Sequence, residues 1–513
     1  MGRVQYAAKN IIFGYISNFT YLVLGFILRT VFLSRLGETL LGVNGLYTGI
    51  LSVVSLAELG IGTAMNFSLY GPVAKEDIGK IKAYMCFYRK AYRVIAAVVA
   101  LLGLAVVPFL PVIVKNSIGL TQRELTVYYL IFLFNTVSTY FMAYKYSLVN
   151  ARQMNYIQTN AATVSKIVTS IVQIIILLTT ANFLMYLMAV AVVELLQKLV
   201  MNVYLNRKYP YLKEKDGEKL SKEETQKIVS DTKALAIQKI GDAARLQTDA
   251  IIISSFLNVT LVGLIDNYNM IISAVTGFVD IVFNSVISGF GNLIATESRE
   301  RQLSLFQVYR FTAAWLYGFS AIGFWYLLSP LVETAWGASR VVAFSVIFSI
   351  VLDYYCKGER IVLYNFKTAA GIFREDKYLA FAQGIVNLIV SIVMVQKIGL
   401  LGVYIGTIVS GLMANLIRPF LIYRLCFQKP VAEYFKDIAG YWLQLGVSAA
   451  ILLPAGNRIL AQKSWGSLIL MAVVITLVFN GLFFLCFRKR EEFQYLKGIV
   501  LRRLGRGKMS RSF

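Results

Sequence analysis

The sequence predicts an all-α polytopic membrane protein with 14 transmembrane helices. Its composition, its long apolar runs and the placement of its basic residues lead to this prediction. Of the 513 residues, 58% are hydrophobic and 15% are charged, whereas soluble chains have about 45–50% apolar and about 25% charged residues. This composition excludes a soluble enzyme, a disordered chain and a fibrous protein. The sequence contains no histidine, so histidine metal sites and Ser-His nucleophiles are also excluded.

The apolar runs give the positions of the predicted helices. A transmembrane helix needs about 20 mostly apolar residues. Runs such as 174–178 are continuously apolar, which favours helices over the alternating strands of a membrane barrel. The predicted spans, numbered 1 to 14, are 10–34, 40–68, 91–114, 124–147, 158–180, 183–206, 234–257, 262–294, 308–329, 341–365, 376–396, 400–423, 437–456 and 467–487.

The basic residues predict the orientation of these spans. With the N-terminus inside, the inside segments hold 36 of the 51 lysines and arginines, and the outside loops hold 7. Cytoplasmic loops carry such an excess, so both termini are expected to be cytoplasmic. The tail 488–513 has nine basic residues, which suit anionic lipid headgroups. Nucleic-acid binding is not expected, because no folded module accompanies the tail.

An internal repeat predicts two lobes. A shift of 221 residues aligns Leu41-Gly42 with Val262-Gly263 and also aligns Ser170 with Ser391. Chance matching among apolar residues is the alternative. Six spans per repeat give two parallel six-helix lobes, a plan typical of alternating-access transporters. The predicted division is an N-lobe 1–206 (spans 1–6), a cytoplasmic linker 207–233, a C-lobe 234–425 (spans 7–12), spans 13 and 14 within 426–487, and a basic cytoplasmic tail 488–513.

Basic residues inside the spans are candidate substrate-binding residues. A charged side chain at the bilayer centre costs roughly 2.5–3.5 kcal/mol on insertion scales, so it is expected to face a wet cavity or a partner. Cations in a cavity suit an anionic group such as phosphate or pyrophosphate. The predicted cavity cations are Arg29, Lys166, Arg245 and Lys357.

Acidic residues inside the spans are candidate cavity acids or sites for a coupling ion, either Na⁺ or H⁺. Helix periodicity places several of them on the same faces as the cations. No cofactor and no metal site are predicted. The acids are Glu58, Asp249, Asp280 and Asp353.

Some of these charges have a purely structural alternative. Neutralising pairs form at i,i+3 and i,i+4 on a helix, and the candidates are Asp242 with Arg245, Asp353 with Lys357, and Glu194 with Lys198. For Glu194 and Lys198 the pair is the favoured interpretation. Arg360 and Arg418 lie close enough to the cytoplasmic surface to snorkel.

The segment 57–77, AELGIGTAMNFSLYGPVAKED, and the basic stretch that follows it to residue 93 resemble Wzx-type polysaccharide transporters. These belong to the multidrug/oligosaccharidyl-lipid/polysaccharide exporter superfamily. The resemblance implies a V-shaped fold in the bacterial cytoplasmic membrane. It also implies a flippase that moves undecaprenyl-pyrophosphate-linked oligosaccharide from the inner to the outer leaflet for cell-surface polysaccharide synthesis. Arg29 and Arg245 fit the family's cation-lined cavity by position, whereas Lys166, Lys357 and the acids are assigned from helix faces.

The expected partners are membrane lipids, the lipid-linked glycan, and the polymerase and glycosyltransferases of the same pathway. Two other transport functions remain open: a peptidoglycan-precursor (lipid II) flippase and an ion-coupled small-molecule or multidrug exporter. Multidrug exporters of the superfamily often carry an acidic residue in helix 1, and residues 10–34 contain none. A membrane enzyme is not expected, because the longest outside loops, 115–123, 330–340 and 454–466, are short.

Overall fold

The structure is a computed structural model. It describes residues 3–58, 61–115, 119–212, 220–226, 228–229, 232, 245, 247–284, 297–370, 372 and 376–498. The described residues form helices and connecting turns, with no strand among them. Eleven of the described helices are long and apolar enough to cross a membrane. The prediction of an all-helical, multi-pass membrane protein is confirmed, whereas the count of 14 helices stays a prediction.

The helices follow one another with short connections. Before residue 213 they are α1 (Arg3–Arg35), α2 (Gly37–Val54), α3 (Ile61–Ala74), α4 (Ile78–Val106), α5 (Gln122–Ala151), α6 (Tyr156–Thr179) and α7 (Phe183–Lys208). After residue 248 they are α8 (Asp249–Phe256), α9 (Val259–Asn284), α10 (Arg299–Trp336), α11 (Phe344–Ala369), α12 (Lys377–Ile398), α13 (Leu400–Ile422), α14 (Ala432–Ile459) and α15 (Trp465–Phe487).

Local sequence signals explain where several helices begin. The Asp77 side chain accepts from the Lys80 backbone N–H at the start of α4, and the Ser298 hydroxyl accepts from the Arg301 N–H at the start of α10. Thr121 forms a capping box with Glu124 at the start of α5. These side chains satisfy backbone donors that have no partner within the helix. The caps at Asp77 and Ser298 lie well before the predicted spans 91–114 and 308–329. The first turns of α4 and α10 contain charged residues, so the apolar runs used for the prediction begin later than the helices do.

Span 2 differs from its prediction. The sequence predicts one helix over 40–68, but α2 ends at Val54 and a 3₁₀ turn follows at Ser55–Glu58 before α3 begins. The Glu58 carboxylate accepts a hydrogen bond from the Tyr92 hydroxyl at 3.2 Å. The turn therefore brings Glu58 onto α4, a tertiary contact that hydropathy does not report.

The contacts divide the chain into two compact units. One comprises Met1–Asp266 with Ala380–Leu388, and the other comprises Asn267–Leu379 with Ile389–Phe513. In the first unit, α1 packs on α6, α4 on α5, and α7 on both α5 and α6. In the second unit, α11 packs on α10 and α13, and α15 on α10 and α14. The predicted lobe boundaries stay a prediction.

Within the first unit, the starts of α2 and α9 cross closely at residues that the 221-residue shift makes equivalent. The hydroxyl oxygens of Thr39 and Thr260 lie 3.2 Å apart. A Cβ at Gly42 would lie 1.9 Å from the Val259 carbonyl oxygen, and one at Gly263 would lie 2.2 Å from that of Glu38. Only glycine allows this approach. Each of the two equivalent glycines contacts the start of the other helix. Such reciprocal contacts are typical of a local two-fold axis.

Candidate functional site

A polar cavity of about 400 Å³ lies inside the first unit, among α1, α2, α5, α6 and α7. We call it the charged cavity, because Lys166, Glu194 and Lys198 line it. On α6, Lys166, Thr169 and Gln173 share one face, since they are three and four residues apart. The remaining polar lining consists of Tyr21, Asn44, Asn135, Ser165, Tyr186 and Gln197.

Lys166 is the predicted cation that the structure places in this cavity. Its side chain is half-buried. Within the described part of the chain, no residue forms an ion pair or a hydrogen bond with its ammonium group. Glu194 and Arg29 lie near enough for their charges to act on it. Lys166 is thus a cation that points into a polar hollow and leaves its donors available to a ligand.

Glu194 and Lys198 form the pair predicted from their spacing. Lys198 Nζ lies 3.2 Å from Glu194 Oε2 and donates to Ser138 Oγ at 2.8 Å. The pair nevertheless lines the cavity, and the Glu194 side chain is 40% exposed. The sequence favoured a structural pair here, so these two lining residues were not among the predicted site residues. The shared face of Glu194, Gln197 and Lys198 on α7 was the available signal.

A second cavity of about 380 Å³ adjoins the first, and the two share Ala162, Gln197 and Lys198. We call it the neutral cavity, because Lys198 alone is charged among the described residues that line it. Its other polar lining residues are Tyr92, Thr139, Tyr146, Ser147, Asn150 and Gln158.

Arg29 is engaged with a carboxylate. Its Nη2 lies 2.8 Å from Asp266 Oδ2, and both side chains are largely buried, at 13% and 30% exposure. Arg29 also lies near enough to Tyr186, which lines the charged cavity, for its charge to act on that side chain. Arg29 therefore lies at the margin of this cavity, held by Asp266, and its role in binding stays a prediction.

The predicted residues of span 7 are only partly described. Arg245 is half-buried, and Asp249 is the first residue of α8. Asp242, offered as a partner of Arg245, lies outside the described residues. The proposed i,i+3 pair is therefore untested, and so are the predicted roles of Arg245 and Asp249.

In the second unit, the predicted charges pair in a different way from the one expected. Lys357 Nζ lies 3.6 Å from Asp280 Oδ2, and the Tyr317 hydroxyl donates to Asp280 Oδ1 at 2.8 Å. Asp353 accepts from Arg360 at 2.8 Å. The suggested pair of Asp353 with Lys357 is wrong, because Lys357 reaches across to α9. Arg360 does not snorkel, because it turns back along α11 towards Asp353.

A buried charge cluster escaped the sequence analysis. Lys367 and Arg418 both bind Asp376, and Arg418 does so through two nitrogens at 3.0 and 3.2 Å. The interpretation that Arg418 snorkels is wrong, since its side chain is 8% exposed. Nothing in the spacing reveals this cluster, because Asp376 and Arg418 lie 42 residues apart. The described residues contain no group of three or more potential metal ligands.

Comparison with known proteins gives structural neighbours. Neither a protein-family model nor a curated protein sequence matches this chain. The inward-closed structure of the lipid II flippase MurJ is 14% identical, with a TM-score of 0.65, and the match covers 92% of this chain and 99% of that one.

Two transporters of the MATE family are also similar. An inward-facing multidrug resistance transporter of the MOP superfamily is 14% identical, with a TM-score of 0.61, covering 80% of this chain and 94% of that one. The Vibrio cholerae transporter VcmN is 13% identical, with a TM-score of 0.58, covering 83% and 99%. At these identities the likeness shows the fold alone, which this chain shares with the three transporters.

Proposed function

We propose that this chain is a flippase for undecaprenyl-pyrophosphate-linked oligosaccharide in the bacterial cytoplasmic membrane, with both termini cytoplasmic. It would carry the lipid from the inner to the outer leaflet by alternating access, for cell-surface polysaccharide synthesis. The polymerase and glycosyltransferases of that pathway would be its partners. This function requires a transporter fold and a cationic cavity within the membrane.

The observation that carries the proposal is the charged cavity. Lys166 and Lys198 contribute two positive charges and Glu194 contributes one negative charge, so the described lining has a net charge of +1. An ammonium group inside a membrane protein needs an anion or a wet cavity. A lipid-linked pyrophosphate supplies this anion. Its lipid chain suits the outer faces of the transporter, which contact the acyl chains of the bilayer.

The other predicted residues have supporting roles in this proposal. Arg29, Arg245 and Lys357 would supply further positive charge along the path of the pyrophosphate. The carboxylates would bind the Na⁺ or H⁺ that drives the cycle, and they are Glu58, Asp249, Asp280 and Asp353.

The comparisons also support a second candidate, a lipid II flippase. The MurJ structure covers 92% of this chain, whereas the MATE structures cover 80% and 83%. The extra length matched by MurJ favours transport of a lipid-linked substrate over multidrug export. The absence of an acidic residue from 10–34 points the same way.

The test is transport by the purified chain in proteoliposomes. Three fluorescent substrates are compared: undecaprenyl-pyrophosphate-linked oligosaccharide, lipid II and a cationic dye. We expect the oligosaccharide lipid to be flipped fastest and the dye to be retained. Efflux of the dye without flipping of either lipid would overturn the proposal, and faster flipping of lipid II would select the second candidate.

The variant Lys166→Gln tests the cavity directly. A hydrogen bond to a charged group contributes about 1.5–3 kcal/mol, so we expect affinity for the lipid to fall at least about tenfold. The control is Lys397→Gln, which removes an exposed lysine at the end of α12. Equal transport by both variants would show that Lys166 does not bind the substrate.

A further inference from the structure

The two adjoining cavities of the first unit differ in chemistry. The charged cavity contains Lys166 and Glu194, and it meets the neutral cavity at Lys198. Beyond Lys198, the described lining of the neutral cavity offers hydroxyl and amide groups without a carboxylate or a second cation. A ligand that spans both cavities would therefore place its charge at one end.

The neutral cavity has hydrogen-bonding capacity that the protein does not use. The Gln158 side chain is half-buried and lines the cavity, and none of the described residues hydrogen-bonds to it. The amide of Gln158 can both donate and accept a hydrogen bond. Ionised phosphate oxygens only accept, whereas sugar hydroxyls do both.

The aromatic groups of this cavity fit the same ligand. The Tyr146 hydroxyl accepts from Gln197 Nε2 at 3.2 Å, and the Tyr92 hydroxyl donates to Glu58 at 3.2 Å. Both rings are thereby fixed in the wall, each with an apolar surface beside a polar group. The volume of about 380 Å³ lies within the range of about 300–1,000 Å³ that small-molecule sites occupy.

We propose that the neutral cavity binds an uncharged sugar, while Lys166 and Lys198 hold the pyrophosphate to which that sugar is attached. This deepens the proposed function and rests on it. An acidic sugar would find one lysine already shared with the pyrophosphate, and a basic sugar would find no carboxylate among the described residues that line the neutral cavity. The site thus selects a neutral, hydroxyl-rich residue next to the phosphate.

The test compares two probes that differ only in the sugar. Binding of undecaprenyl pyrophosphate, with and without one neutral hexose, is measured by native mass spectrometry on the full chain. We expect Gln158→Leu to weaken binding of the glycolipid about tenfold and to leave binding of the sugar-free lipid unchanged. Lys166→Gln weakens both. The control Gln122→Leu, at an exposed position, changes neither.

The outcomes separate the two proposals. If the unmodified chain binds neither lipid, the proposed function itself fails. If it binds both lipids equally, or if Gln158→Leu weakens both alike, the sugar site is wrong. A third probe with one acidic hexose is measured as well, and tighter binding of this probe than of the neutral glycolipid would also overturn the sugar site. The thermal midpoint of each variant is measured, and Gln158→Ala replaces Gln158→Leu if the latter does not fold.

Discussion

The substitution Asp376→Asn tests the buried cluster at α11 and α13. Asp376 is 2% exposed and binds both Lys367, at 4% exposure, and Arg418, at 8% exposure. The three groups carry a net charge of +1. Neutralising the aspartate leaves two cations side by side without an anion, whereas replacing Lys367 with methionine leaves a neutral, two-pronged pair of Arg418 with Asp376.

The magnitude follows from burial. Removing one partner of a buried ion pair costs about 3–5 kcal/mol, because the other charge is left uncompensated. We expect Asp376→Asn to lose at least this much. Lys367→Met is expected to be neutral or stabilising, since it removes the excess charge. The double variant leaves a single uncompensated arginine, so its loss is expected to lie between those of the two single variants.

The assay is the thermal midpoint of purified protein in detergent, followed by tryptophan fluorescence. Unfolding of a large membrane protein is not two-state, so the order of the midpoints is the readout. The expected order is Lys367→Met at or above wild type, then the double variant, then Asp376→Asn. The control Lys463→Met breaks an ion pair whose lysine is 64% exposed and costs about 0–1 kcal/mol. A midpoint for Asp376→Asn equal to that of the control would refute the reasoning.

Two further outcomes are expected. Gly42→Val destabilises the fold by about 1–3 kcal/mol, because its Cβ would lie 1.9 Å from the Val259 carbonyl oxygen. Gly45→Ala meets side-chain atoms only at 3.4 Å and beyond, so its thermal midpoint stays near wild type. Asp266→Asn removes the carboxylate from the largely buried Arg29, so we expect the thermal midpoint to fall and binding of undecaprenyl pyrophosphate to become tighter in native mass spectrometry. Unchanged binding together with a large fall in the midpoint would make that pair purely structural.

Hydropathy predicts most of the fold, because a helix that crosses a bilayer requires about 20 mostly apolar residues in a row. The apolar run 467–487 corresponds closely to α15 (Trp465–Phe487), and 183–206 corresponds to α7 (Phe183–Lys208). The prediction fails where tertiary contacts decide, as at the 3₁₀ turn Ser55–Glu58 that carries Glu58 to Tyr92. At α11 the predicted span 341–365 agrees with the helix Phe344–Ala369 to within four residues at each end, although five of its 26 residues are charged.

The candidate site was predictable only in part. The cost of a charge in the membrane correctly singles out Lys166 as a residue that needs an explanation. The same rule does not distinguish a charged side chain that forms an ion pair from one that faces a cavity. The structure answers this for Lys357, which pairs with Asp280, and for Arg418, which pairs with Asp376. Those partners lie on other helices, at separations that no local pattern encodes.

The internal repeat adds an argument about where the anion binds. The shift that makes Gly42 and Gly263 equivalent also relates Lys166 to Asn387 and Arg29 to Ala250. The cations beside the charged cavity thus have uncharged counterparts in the second repeat. The two repeats cross at equivalent glycines and so have similar backbones at that point. Of these two pairs of equivalent positions, only those in the first repeat, Lys166 and Arg29, are charged. The binding function of the charged cavity is therefore expected to be specific to the first repeat. Transferring a lysine to position 387 in a Lys166→Gln background would not restore transport.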